Sequence, residues 1–345
     1  MPRVRVPSLL PEPPEQAGAG MVDTFGRVAR DLRVSVTDRC NLRCTYCMPA
    51  EGLPWMPKTE MLTDEELLRV VGVFVGLGVR QVRLTGGEPL LRRSIVDVVA
   101  GITALRPRPQ VAMTTNGIGL SRLAIPLAEA GLDRVNVSLD TIDPEVFAQL
   151  TLRDRLGDVE KGLAAAVEAG LTPVKVNAVA MRGVNDHAVA DVLSWCLDRG
   201  YELRFIEQMP LDAQHSWDRD AMISADELRE RLSSRFTLEA VPGRGSAPAE
   251  RFLVDGGPAT VGIIASVSEP FCAACDRTRL TADGQVRNCL FSEQETDLRG
   301  PLREGATDAE LAGLIRGEMW RKARGHGIGD PDFQQPSRPM SAIGG

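Results

Sequence analysis

Short runs rich in β-branched residues recur along the chain, each followed by a stretch whose apolar positions keep helical spacing. The runs fall at residues 32–36, 82–85, 110–115, 134–139, 173–180 and 202–206, and their length and alternation predict strands. Between the first two, Thr63-Asp64-Glu65-Glu66 has the pattern of a capping box, and Gly78 marks the helix end. Further helices are expected over 94–105, 121–130, 158–169 and 186–198. Such alternation demands a parallel sheet with right-handed crossovers, either an open doubly wound sheet or a barrel; the pattern alone does not choose.

After about residue 210 the rhythm changes. A helix near 225–232, a Gly/Pro-rich stretch at 242–248 and antiparallel strands around 260–265, 277–281 and 286–290 predict a second, smaller layer built on the first, with Asp283-Gly284 turning the last hairpin. At the other end, residues 1–25 hold five of the 23 prolines and no apolar periodicity, which reads as a disordered leader. The expected organisation is a leader over 1–25, a core over 26–210, an auxiliary domain over 211–335 and a tail over 336–345.

Four of the strands break their own pattern. Parallel strands covered on both faces should be almost continuously apolar, yet Arg33, Arg83, Lys175 and Arg204 sit within them. Any one could snorkel to water. Four in four strands instead imply an anionic partner, because an unpaired buried cation is costly, and a triphosphate carries enough charge to satisfy them.

Composition narrows the setting. With 345 residues, 43% of them hydrophobic, the chain can bury a large core. Its longest uncharged apolar stretch, 70–79, is about half of what a helix needs to cross a bilayer, so no membrane span is expected. No signal-like apolar core opens the sequence, and the expected location is cytoplasmic. A net charge of −7 argues against broad adhesion to nucleic acid or anionic lipid. Six of the seven cysteines fall into two clusters, which favours metal over disulfides.

The first cluster, Cys40-x3-Cys44-x2-Cys47, follows the first strand. Soft thiolates suit iron–sulfur clusters or zinc, and none of the three histidines lies near in sequence to complete a zinc site. Three cysteines on a four-iron cube leave one iron open to chelate S-adenosylmethionine (SAM), whose carbon–sulfur bond an electron can then break. The second cluster is Cys272-x2-Cys275-x13-Cys289, with Arg277-Thr278-Arg279 directly after its second cysteine. Here a structural zinc site stays open as an alternative, with Cys196 as a conceivable fourth ligand. Cys196, between Trp195 and Leu197, otherwise reads as a buried inert thiol.

The first cysteine motif, with Tyr46 before its last cysteine, and Gly86-Gly87-Glu88-Pro89 after the next strand resemble the radical SAM superfamily. Over most of 25–345 the resemblance narrows to its GTP 3′,8-cyclase family of molybdenum cofactor biosynthesis. It is carried by both cysteine trios, residues 30–39, 83–90 and 204–207, Thr114-Thr115-Asn116-Gly117, Asn136-Val137-Ser138-Leu139-Asp140 and the terminal Gly344-Gly345. This implies an α/β fold, a partial (β/α)6 TIM-like barrel with a smaller C-terminal α+β region carrying the second cluster. It also implies a lyase that converts GTP to (8S)-3′,8-cyclo-7,8-dihydroguanosine 5′-triphosphate, through a 5′-deoxyadenosyl radical that takes hydrogen from C3′ before the ribose attacks C8.

By the same resemblance Cys40, Cys44 and Cys47 hold the SAM-binding [4Fe-4S] cluster and Cys272, Cys275 and Cys289 a second one. Tyr46, Gly87, Ser138 and Met209 would contact SAM. Arg33, Arg83, Thr114, Lys175, Arg204, Arg277, Thr278 and Arg279 would bind GTP, with Arg277, Arg279, Gly344 and Gly345 catalytic. The implied partners are an external one-electron donor, a downstream cyclic pyranopterin monophosphate synthase and a second copy in a homodimer, without nucleic acid or membrane. A peptide-modifying radical SAM enzyme explains the strand cations poorly, and a two-cluster redox sensor would need four protein ligands per cluster, which the cysteine count does not supply.

Overall fold

The computed structural model describes residues 20–344. Six strands, β1 (Asp31–Ser35), β2 (Gln81–Thr85), β3 (Gln110–Thr115), β4 (Arg134–Ser138), β5 (Lys175–Val179) and β6 (Glu202–Ile206), alternate with six helices. These are α1 (Asp64–Gly76), α2 (Ile95–Thr103), α3 (Leu120–Glu129), α4 (Pro144–Thr151), α5 (Leu156–Glu168) and α6 (Val189–Asp198). Then come α7 (Ala225–Ser233), strands β7 (Leu238–Val241), β8 (Glu250–Val254), β9 (Thr260–Ile264), β10 (Arg277–Leu280), β11 (Gln285–Arg287) and β12 (Thr296–Asp297), and helices α8 (Arg299–Arg303), α9 (Asp308–Trp320) and α10 (Met340–Ile343).

All the strands belong to one sheet, ordered β12-β11-β10-β1-β2-β3-β4-β5-β6-β9-β8-β7. Strands β1 to β6 run parallel as sequential neighbours, as strand–helix alternation requires. The expected second layer built on the first after residue 210 is corrected here: β10 pairs parallel with β1, and β9 parallel with β6. Each is then extended outward by antiparallel strands, so the C-terminal region lengthens both edges of the first sheet. One cavity is lined from β10, β1 and β2 and also from β6 and β9, which a sheet can do only by curling around it.

Four local expectations also change. The Gly/Pro-rich stretch 242–248 is the loop between two strands that were not expected, β7 and β8, and the first of them, Leu-Glu-Ala-Val, is too exposed to show an apolar run. Helix α4 starts at Asp143, whose carboxylate accepts from the Glu145 and Val146 amides. The last hairpin strand ends at Arg287, leaving Cys289 in the following turn. Residues 20–25, assigned to the leader, instead pack: Met21 is fully buried, Val22 bridges Val28, and Asp23 ion-pairs with Arg27 at 2.5 Å.

The capping box is formed as read, the Thr63 hydroxyl accepting from the Glu66 amide at 3.2 Å and Glu66 accepting from the Thr63 amide at 2.9 Å. Buried helix faces such as Leu67, Val70, Val71 and Phe74 of α1 join Leu32, Val34, Val82 and Leu84 of the strands in one core. A second apolar cluster, including Leu211, Phe291, Ile328 and Ile343, lies where the segment after β6, the turn after β11 and the tail meet.

Candidate active site

The cavity inside the curled sheet contains about 1920 Å³ of free space, its open mouth included. Its lining carries chemistry for more than one occupant. All six clustered cysteines line it, along with Arg33, Arg83, Arg204, Arg277 and Arg279.

Strand register explains how the cations converge. Arg279, Arg33, Arg83, Ala112 and Arg134 are successive Cα partners across β10, β1, β2, β3 and β4, so they share one face of the sheet. Among the described residues none of the five cavity arginines forms an ion pair, and the Nε atoms of Arg33 and Arg83 and Nη2 of Arg277 are buried without a hydrogen-bond partner. Burial lowers Arg33, Arg83, Arg204 and Arg279, Arg204 to about 10, and mutual repulsion pushes the same way. Orphaned, mutually repelling guanidinium groups fit a polyanionic ligand.

Two expected members stand apart. Lys175 does not line the cavity; its Nζ lies 2.5 Å from the Glu202 carboxylate, the residue opposite it on β6. Thr278 lies between Arg277 and Arg279, so strand alternation turns it to the other face, where its hydroxyl donates to the Arg287 carbonyl at 3.3 Å. Thr114, Ser138, Met209, Tyr46 and Gly87 do line the cavity.

The first cysteine loop is clamped by the glycine motif. The Gly87 amide donates to the Thr37 carbonyl at 2.8 Å and the Glu88 amide to Arg39 at 2.7 Å. A Cβ on Gly87 would lie 2.3 Å from the Arg39 carbonyl oxygen, and one on Gly86, where φ is +129°, would lie 2.2 Å from that of Thr37. The buried Glu88 carboxylate then ties this loop to β3, accepting from the Thr115 hydroxyl at 2.7 Å and the Asn116 amide at 2.6 Å. Tyr46 donates its hydroxyl to Asp140 at 2.8 Å, and Asp140 also accepts from the Val179 amide.

Burial raises the Cys40, Cys44 and Cys47 thiols, Cys47 to about 12 even though the Ser341 amide donates to it. Such thiols become thiolates when metal cations compensate their charge. At the second trio burial also raises Cys275, but the charges and hydrogen bonds of Arg277 and Lys322 outweigh it and bring the thiol down to about 7. Among the described residues no three His, Cys, Asp or Glu side chains converge as they would around one metal ion. Both trios open on the cavity, which suits clusters that keep one iron for a ligand better than a closed zinc site. Cys196 is fully buried in the core and does not line the cavity.

The tail enters the same space. Met340 and Ser341 line the cavity, and the Gly344 carbonyl accepts a hydrogen bond from Arg279. A Cβ on Gly344 would lie 2.8 Å from Thr85 Cγ2; Gly345 lies outside the described residues. The sequence reading missed Asn177, His326, Phe271, Phe291 and Asp140 in the lining. Asp140 ends a motif already noted and Phe271 adjoins Cys272, but Asn177, His326 and Phe291 fall outside the cysteine and glycine motifs, and only the fold gathers them.

A model of the Radical SAM superfamily matches residues 34–196, and one described as Molybdenum Cofactor Synthesis C matches 201–328. Among solved structures, native anSMEcpe with bound AdoMet aligns with a TM-score of 0.59 at 15% identity, covering 86% of this chain and 82% of that one. Streptococcus suis SuiB bound to precursor peptide SuiA aligns with a TM-score of 0.57 at 13% identity, covering 86% and 75%. These likenesses concern the fold. Together with the cysteine loop and the family match, they define a radical SAM enzyme that uses iron–sulfur clusters and SAM.

Closer relatives refine this. The GTP 3′,8-cyclase of Streptomyces coelicolor is 62% identical over 328 residues, 94% of this chain and 96% of that one. The GTP 3′,8-cyclase 2 of Mycobacterium tuberculosis H37Rv is 60% identical over 331 residues, covering 94% and 92%. The chain belongs to the GTP 3′,8-cyclase family.

Proposed function

We propose that this chain converts GTP to (8S)-3′,8-cyclo-7,8-dihydroguanosine 5′-triphosphate, the first step of molybdenum cofactor biosynthesis. One observation carries the substrate: five arginines without an ion-pair partner among the described residues line the cavity that both cysteine trios share. Cys40, Cys44 and Cys47 would hold the SAM-binding cluster, and Cys272, Cys275 and Cys289 the second. When bound, the clusters and SAM supply the one-electron chemistry that removes a ribose hydrogen.

The chain's own residues do the rest. Arg33, Arg83 and Arg204 hold the triphosphate within the sheet, and Thr114 binds beside them. Tyr46, Gly87, Ser138 and Met209, which line the cavity, would hold SAM. Arg277 and Arg279 reach the substrate beside the second trio, with the Gly344 carbonyl aiming the Arg279 guanidinium. Phe271, Leu290 and Phe291 wall the cavity with apolar surface and exclude water. No helix among the described residues is long and apolar enough to cross a membrane. The reading extends to a cytoplasmic homodimer, an external one-electron donor and a cyclic pyranopterin monophosphate synthase downstream. The test is mass spectrometry of an anaerobic reaction with SAM, GTP and reductant. Cleavage of SAM without the cyclised nucleotide would show that the substrate assignment is wrong.

A further inference from the structure

The end of α9 and the segment after it are tied to the chain around the second trio, directly at Cys275 and through Arg27 and Asn288 near Cys272 and Cys289. Arg27 donates to the Cys272 carbonyl at 2.7 Å and to the carbonyls of Ala323 and Arg324 at 2.6 and 3.0 Å. Glu318, fully buried, accepts from the Asn288 side chain at 2.7 Å, next to Cys289. Lys322 reaches Cys275 itself: its Nζ donates to Sγ at 3.4 Å, to the Cys275 carbonyl at 3.2 Å and to the Arg277 carbonyl at 2.7 Å.

Lys322 is 4% exposed and, among the described residues, has no carboxylate partner. A buried ammonium without a counter-ion is costly, and the group that faces it is the sulfur of Cys275. Its three N–H donors are all used by these contacts, so none is left for substrate. Arg277 donates to the same sulfur from Nε at 3.4 Å, but it lines the cavity and its Nη2 is unpartnered. Arg277 is thus free to turn toward a ligand, whereas Lys322 is fixed.

We propose that Lys322 is a positioning residue for the second cluster and sets its reduction potential through a cationic N–H···S bond to Cys275. This rests on the reading that Cys272, Cys275 and Cys289 hold a cluster. Reduction adds negative charge to a cluster, so a fixed positive donor on a ligating sulfur favours the reduced state and raises the potential. Removing the charge lowers it.

The test uses the full chain reconstituted anaerobically, with iron counted per chain and both clusters titrated potentiometrically by electron paramagnetic resonance. The cluster whose signal SAM does not change is the second. Lys322→Met is expected to keep both clusters, shift the second cluster's midpoint to more negative potential and leave the first unmoved, while Lys322→Arg restores most of the shift. Lys322→Gln, which keeps a donor but no charge, should fall below the wild type as well. An unshifted second midpoint in Lys322→Met and Lys322→Gln overturns the inference. Loss of the second cluster from both makes Lys322 a structural anchor and also overturns it. A wild-type chain that carries only one cluster instead removes the reading of the trio on which the inference stands.

Discussion

Replacing Gly87 with alanine tests whether the glycine motif works by close backbone approach. The new Cβ would lie 2.3 Å from the Arg39 carbonyl oxygen and 2.5 Å from that of Asp38, whereas ordinary contact begins near 3.4 Å. Both obstacles are backbone, so the loops must part by about 1 Å; no side chain can swing aside. That separation stretches the Gly87–Thr37 and Glu88–Arg39 hydrogen bonds, now 2.8 and 2.7 Å, beyond useful length. At about 1 kcal/mol each the loss is about 2 kcal/mol, and if the displaced loop is the one that receives SAM, affinity falls by a factor of about 30. Anaerobic equilibrium binding of SAM to the reconstituted protein measures this. Gly76→Ala is the control: its Cβ meets nothing within 4 Å at the exposed end of α1, and alanine there should be neutral or stabilising. If Gly87→Ala binds SAM within threefold of the wild type and melts at the same temperature, the close-approach argument is wrong.

Arg33→Ala should weaken GTP binding about 10- to 100-fold by calorimetry, the worth of a charge-assisted hydrogen bond. Lys175→Ala should cost several-fold less because Lys175 is spent on Glu202, and equal losses would refute that ordering. Cys196→Ala should leave the iron content unchanged while lowering stability by about 1 kcal/mol; lost iron would make Cys196 a ligand. Thr278→Val removes only the hydrogen bond to Arg287 on the far face, so GTP affinity should stay within twofold, and a tenfold loss would contradict the strand alternation. Burial pushes Glu88 up to about 7, well above the ordinary carboxylate range, outweighing the donors around it. Its stabilising contribution is therefore fully present below about pH 4.5 and lost as pH rises through about 7. Glu88→Gln should flatten the stability profile in that window, and an unchanged slope in urea titrations would refute it.

Much of this site was legible because its chemistry is local. The cysteine spacings, the glycine pair and the capping box each fall within a few residues, and the strand cations stood out because their neighbours are apolar. What failed is what depends on partners distant in sequence. Lys175 looked equivalent to Arg33 and Arg83, but β5 pairs with β6 in the register that sets it opposite Glu202. Lys322 and Arg27 touch the second trio across 47 and 245 residues, and neither interrupts a strand or repeats a motif. Hairpin β7–β8 was invisible for the opposite reason, since an exposed edge leaves little apolar alternation to read.

The parallel pairing of β10 with β1 joins these parts into one site. It sets Arg277 opposite Asp31 and Arg279 opposite Arg33, so the strand that follows Cys275 has the same inward face as the strand that precedes Cys40. A shift of one residue in this pairing would turn Arg277 and Arg279 outward and bring Thr278 in. Both trios would still exist, yet the second would no longer share a face with the cations. The antiparallel turn of β11 then returns the chain toward Cys275 with Asn288 and Cys289, where Glu318 holds Asn288 from behind. Closing the sheet with β10 therefore does more than cover an edge. It fixes the distance and direction between two cysteine loops that the sequence places more than two hundred residues apart, and it does so through backbone pairing.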